Sequence, residues 1–203
     1  MTPADLAAYP AALAAVPAAQ VKRVLLFSPN LEQLALVRQQ FPGARVYCSD
    51  KSLWNLSDCK DWAFDLAFLC NVMHYSPDPA LWLKNLFQAC RYVVVQDLID
   101  RRRGTQAPYL GTDGDATRYS FRARGERSAY PHAYDLSHLD AQCTYFQAYA
   151  ASNAARHFVA VYTSPYPRRT AGTAKAPPVA LGVFTALYLA RKQLGRLLSP
   201  QAG

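Results

Sequence analysis

The sequence predicts an α/β fold, a shortened doubly wound and mostly parallel sheet of the Rossmann-like kind, ending in a C-terminal antiparallel hairpin. Three observations predict it. Short apolar runs of strand length at 21–27, 45–49, 64–70 and 92–95 alternate with stretches of helical period. The run 64–70, the stripe Leu81, Trp82, Leu83, Leu86, Phe87 and Cys90, and the run 92–95 form a strand, a crossover helix and a second strand, which demands a parallel sheet covered on both faces. The last two strand candidates, 144–150 and 156–163, are separated only by the turn-like Ser152-Asn153, so they pair antiparallel at the sheet edge.

The elements follow in order. Residues 2–20 read as an amphipathic helix or helix pair, with Thr2 as cap and Pro3 at the first helical position. Pro10 and Pro17 are expected to break this stretch. The first buried strand, 21–27, ends in a Ser28-Pro29-Asn30 turn. Asn30 caps a helix over 31–41, whose stripe is Leu31, Leu34, Ala35, Val37 and Phe41. Pro42-Gly43 ends that helix, and 45–49 is the second strand, followed by Asp50. Residues 51–61 are polar and read as an irregular or one-turn connection. After the 64–97 unit, 101–131 is expected to be a basic insertion loop, with three consecutive arginines and little periodicity. A short helix is expected at 135–139. Thus 1–163 form one domain, 164–178 a Pro/Thr/Arg-rich linker, and 179–203 a C-terminal amphipathic helix.

Composition narrows the function classes. Half of the chain is hydrophobic and only 18% is charged, which makes it globular and not disordered. The net charge of +8 is uneven: residues 1–100 carry 8 Lys/Arg against 9 Asp/Glu, and 101–203 carry 14 against 5. The basic half can face phosphates, an anionic membrane or an acidic substrate, or form a solvated surface. Cys48, Cys59, Cys70, Cys90 and Cys143 are odd in number and lack CxxC spacing, so reduced core cysteines in a cytoplasmic protein are expected, with no metal site. No secretory leader is expected, and no stretch reaches the ~18–20 apolar residues that span a bilayer.

At its centre the sequence resembles the class I S-adenosylmethionine-dependent methyltransferases. The residues that carry the resemblance are Phe64-Asp65-Leu66-Ala67, Asn71-Val72-Met73-His74-Tyr75, Pro77-Asp78-Pro79, the helix after them, and Tyr92 through Asp97. It covers about 21–163 and is specific at 64–97. It implies a methyltransferase-like sheet whose carboxyl edge holds S-adenosylmethionine. Asp50 stands where the family's ribose-binding carboxylate belongs, and Asn71 where the cofactor's amino-acid end is held. Ser28, Asn30, Lys51 and Cys70 complete the implied cofactor set. The family's glycine-rich first turn is replaced by Phe27-Ser28-Pro29-Asn30, in which Pro29 has no N–H to offer. Only 13 residues separate Asp50 from Phe64, so one strand of the family's sheet and part of its adenine wall are expected to be lost. Trp54 or Trp62 can stack on an adenine or anchor the core.

Methyl transfer needs alignment of an acceptor and sometimes removal of a proton. His74, at the carboxyl edge, is the candidate general base, and Asp97 can orient it or the acceptor. His132 and Tyr134, in a segment that also holds Tyr130, Asp135 and His138, can bind an acceptor, shuttle a proton or form a lid. The C-terminal helix can pack on the domain, pair with a second subunit to form a homodimer, or lie in a membrane interface as a peripheral contact. The expected activity is methyl transfer to a small-molecule, anionic or glycan-like acceptor. The alternative is a non-catalytic scaffold that binds a partner and has lost the cofactor. Nucleic acid, suggested by the arginines and aromatics of 101–131, ranks below both.

Overall fold

The computed structural model describes residues 3–27, 29–49, 64–70, 72–73, 79–99, 118–120, 133–135, 141–150, 156–166 and 179–198. Four helices, α1 (Pro3–Ala14), α2 (Leu31–Gln40), α3 (Pro79–Ala89) and α4 (Val179–Leu198), surround a six-stranded sheet. Its strands are β1 (Arg23–Phe27), β2 (Arg45–Ser49), β3 (Phe64–Cys70), β4 (Cys90–Ile99), β7 (Cys143–Ala150) and β8 (Arg156–Thr163). The sheet order is β2-β1-β3-β4-β8-β7. The first four strands are parallel, and β8 runs antiparallel to both β4 and β7. The parallel part, β2-β1-β3-β4, has the 2-1-4-5 order of a doubly wound sheet, and the segment 50–63, where a strand is expected to be lost, lies outside the described residues. The expected α/β class, the parallel core and the closing hairpin are all present.

The strands form where the chain is apolar enough to be covered on both faces. Val24, Leu26, Leu66, Phe68, Val94, Val159 and Val161 face α1 and α2, against Tyr9, Ala12, Leu13, Leu34, Val37 and Phe41. Leu25, Phe27, Ala67, Leu69, Val93, Val95, Phe158 and Ala160 face α3, against Trp82, Leu83, Leu86 and Phe87. Asp65 breaks the apolar run of β3 for a reason at the opposite end from any site. Its carboxylate accepts from the backbone N–H of Lys22 at 2.7 Å and of Arg23 at 2.9 Å, which ties the amino ends of β1 and β3 together. These bonds also start β1 two residues later than the apolar run at 21 suggests.

Several expectations are corrected. The first helix runs through Pro10, because Ala8, Tyr9, Ala12 and Leu13 are buried along one stripe and outweigh the lost hydrogen bond. Ala35 and Leu81 lie on the outside of their helices, and Gln33 occupies a buried position in α2. Cys90 opens β4 instead of closing α3, and β4 continues to Ile99, past the apolar run. Residues 101–131 are not all loop: β5 (Arg118–Ser120) pairs antiparallel with β6 (Ala133–Asp135), and this ribbon lies against β4 and α3. Asp135 is therefore a strand residue and not a helix start.

Among the described residues, β2 is the outer strand on its side of the sheet, and α4 covers its edge. The Thr185 hydroxyl accepts from the Cys48 N–H at 2.9 Å and lies 3.4 Å from the Cys48 carbonyl oxygen as donor. One side chain thus closes both main-chain groups of an edge residue that a further strand would otherwise pair.

Candidate functional site

The strand order fixes where a ligand can enter. The chain leaves β1 toward β2 on one side, and β3 lies on the other, so the sheet reverses direction of growth between β1 and β3. Ligands of open α/β sheets bind beyond the carboxyl ends of the strands at that reversal. Phe27, the turn to α2, Cys70 and the segment after it, and Ser49 all converge on this edge.

The turn between β1 and α2 is closed by its own side chains. Asn30 is the N-cap: its Oδ1 accepts from the Gln33 N–H at 2.8 Å, and Gln33 Oε1 accepts from the Asn30 N–H at 2.9 Å. This reciprocal box satisfies two of the donors that a helix start otherwise presents to a ligand. Pro29 has no N–H, and its carbonyl accepts from the Tyr188 hydroxyl of α4 at 2.8 Å. α4 therefore grips both the β2 edge and the β1–α2 turn.

Beneath the rim runs a buried polar chain. Gln33 Nε2 donates to the Tyr9 hydroxyl at 2.6 Å, and that hydroxyl donates to Gln96 Oε1 at 3.1 Å. Gln96 Nε2 then meets His157 Nδ1 at 3.3 Å, with the Tyr149 ring edge-on to the imidazole at 5.9 Å. The directions are fixed from one end. Because Gln33 Oε1 accepts from Asn30, its Nε2 must donate, and each following partner takes the complementary role.

The structure brings some of the expected site residues to the edge. Asn30 is there, with its side chain engaged in the cap. Cys70 ends β3 and is buried. Burial pushes its thiol pKa far up, and neighbouring Cys48 adds to the rise. Cys48 is likewise raised, to about 11, by burial that outweighs the opposing effect of Arg38. Both are neutral thiols and not nucleophiles. Asp97 is fully buried in β4 opposite Phe158, and the strand continues two residues beyond it, so it does not end its strand as expected. Tyr134 lies in β6 opposite Tyr119. Ser28, Asp50, Lys51, Asn71, His74 and His132 lie outside the described residues, as do Trp54 and Trp62. Among the described residues no group of three His, Cys, Asp or Glu side chains could hold a metal ion.

Six residues of this edge were not among the expected site residues: Tyr9, Gln33, Gln96, His157, Thr185 and Tyr188. Gln33 carries a local signal, since a glutamine three positions after an Asn cap marks a capping box. The other five are joined only by the tertiary fold.

No protein-family model and no curated protein matches the sequence. Among solved structures, the chain is similar to the N-terminal domain of EvdMO1 crystallised with SAH and D-fucose, at 12% identity over 76% of this chain and 80% of that chain, with a TM-score of 0.42. It is similar to an O-methyltransferase family protein from Burkholderia thailandensis, at 10% identity over 78% of this chain and 57% of that chain, with a TM-score of 0.46. It is also similar to CrArsM, an arsenic(III) S-adenosylmethionine methyltransferase from Chlamydomonas reinhardtii, at 15% identity over 83% and 73% of the two chains, with a TM-score of 0.37. The fold assignment rests on the strand order of the chain itself.

Proposed function

We propose that the chain binds S-adenosylmethionine at the carboxyl edge of β1, β2 and β3 and transfers its methyl group to a small-molecule or glycan-like acceptor. The observation that carries this reading is the sheet order. It sets the reversal point between β1 and β3, and in the sequence Asp50 directly follows β2; a carboxylate at that edge accepts from both hydroxyls of a ribose.

The cofactor supplies an electrophilic methyl carbon. Everything else falls to positioning by the chain. In this reading Asp50 and Lys51 hold the ribose side, Ser28, Asn30, Cys70 and Asn71 border the amino-acid end, and α4 walls the side where β2 is the outer strand among the described residues. His74 removes the acceptor's proton, Asp97 fixes the local backbone from inside β4, and His132 with Tyr134 borders the acceptor. At the β1–α2 turn the cap and Tyr188 already occupy main-chain groups.

Titration calorimetry with S-adenosylhomocysteine tests the reading. Micromolar binding is expected, lost in Asp50→Ala while the thermal melt is unchanged. A folded protein that gives neither heat nor thermal shift at saturating ligand sinks it.

The closed β1–α2 turn favours a second reading: a methyltransferase-like scaffold that has lost the cofactor and acts by binding a partner. Here Asp50→Ala leaves cellular function intact, whereas deletion of 101–131 abolishes it. Loss of function in folded Asp50→Ala reverses the preference.

A further inference from the structure

The inner face of α4 is spent on the protein. Thr185 is buried on the β2 edge, Tyr188 holds Pro29, and Leu189 packs against the α1/α2 side of the core. The opposite face is not. Val183, Leu187 and Leu194 are 54%, 66% and 57% exposed, and Ala190 between them is exposed as well. Steps of four, three and four residues bring these side chains into one line along the helix. A row of large apolar side chains facing outward marks an interaction surface.

Charge says which kind. Every charged residue of α4 is cationic: Arg191, exposed beside the line, Lys192, whose Nζ lies over the Tyr188 ring at 5.4 Å, and Arg196. Residues 141–203 as a whole contain seven Lys/Arg and no Asp or Glu. A second copy would set cation against cation. It would also need to bury about 800 Å² on each side, a large demand on a line of three big side chains. No described helix is long and apolar enough to cross a membrane. An apolar line on a helix whose charges are all cationic suits the boundary between headgroups and acyl chains, where the leucines enter hydrocarbon and a basic group beside them meets phosphate.

We propose that the outer face of α4 docks the protein on an anionic lipid surface, with Val183, Leu187 and Leu194 inserted and Arg191 at the headgroups. This does not depend on methyl transfer. The test is cosedimentation of the full chain with vesicles of phosphatidylcholine and phosphatidylglycerol, beside vesicles of phosphatidylcholine alone. Binding to the anionic vesicles is expected, with little to the neutral ones, and it weakens as salt rises. Leu187→Asp with Leu194→Asp, both at exposed positions, abolishes it. Arg191→Gln weakens it by about fivefold. Light scattering and a thermal melt are run on each variant to show that it is folded. Absence of binding to anionic vesicles overturns the proposal, as does equal binding to neutral ones or unchanged binding by the folded Asp pair. A dimer that the Asp pair dissociates, with no vesicle binding, reassigns the line to self-association.

Discussion

The two faces of the sheet are held by different means. On the α3 face the contacts are aromatic and aliphatic: Phe27 meets Trp82 edge-on at 5.3 Å, Phe87 meets Tyr162 at 6.4 Å, and Phe146 stacks on Phe158 at 5.7 Å. On the α1/α2 face a hydrogen-bonded chain from Asn30 to His157 threads through a similarly apolar layer. Apolar contacts stabilise through area and are non-directional. A satisfied polar chain adds less free energy but permits one arrangement of its members. Both faces thus stabilise through buried apolar area, and the α1/α2 face in addition fixes how α1, α2 and β4 sit under the candidate site.

The largest expected effect is on the apolar face. Phe158→Ala should cost about 3–5 kcal/mol, read from urea midpoints, because the side chain is fully buried and its removal leaves a cavity. Tyr9→Phe keeps the ring, which lies edge-on to Phe68 at 5.2 Å, and deletes only the hydroxyl between two buried amides. The expected loss is about 1–3 kcal/mol. A loss equal to that of Phe158→Ala would break the contrast between the faces. Asn30→Ala removes the acceptor of the Gln33 N–H and should cost about 1 kcal/mol, accompanied by faster amide exchange in the first turn of α2.

The smallest effect concerns how dry the margin of the sheet is. The Cys48 thiol rises from 9.0 to about 11 on folding, so its protonated form is favoured in the native state. Its contribution to stability is complete below pH 9.0 and is lost as the pH climbs from there toward about 11. The stability of a Cys48→Ala variant should therefore fall less over that interval than that of the parent. Equal slopes would mean that water reaches the thiol.

Much of the fold was legible in the residues. The strands at 45–49 and 64–70 match the structure to the residue, since each has an apolar centre bounded by polar or glycine-containing sequence. β4 extends beyond its apolar run because Gln96 and Asp97 pair with β8, and pairing partners are not written locally. Helical period marked Leu81 and Ala35 as inward because it finds a stripe without saying how wide it is. Of the site, the Asn30 cap was readable from a few residues. The union of Tyr9, Gln96 and His157 was not, since each comes from a separate element and meets the others only after the sheet has assembled.

α4 has one further implication. The outermost parallel strand owes its shielding to a hydroxyl that lies well over a hundred positions later in the chain. Trimming the protein before residue 179 would uncover a bare ladder rung at Cys48, open to recruitment by strands of neighbouring molecules. The helix thus keeps that rung occupied, whatever else it binds.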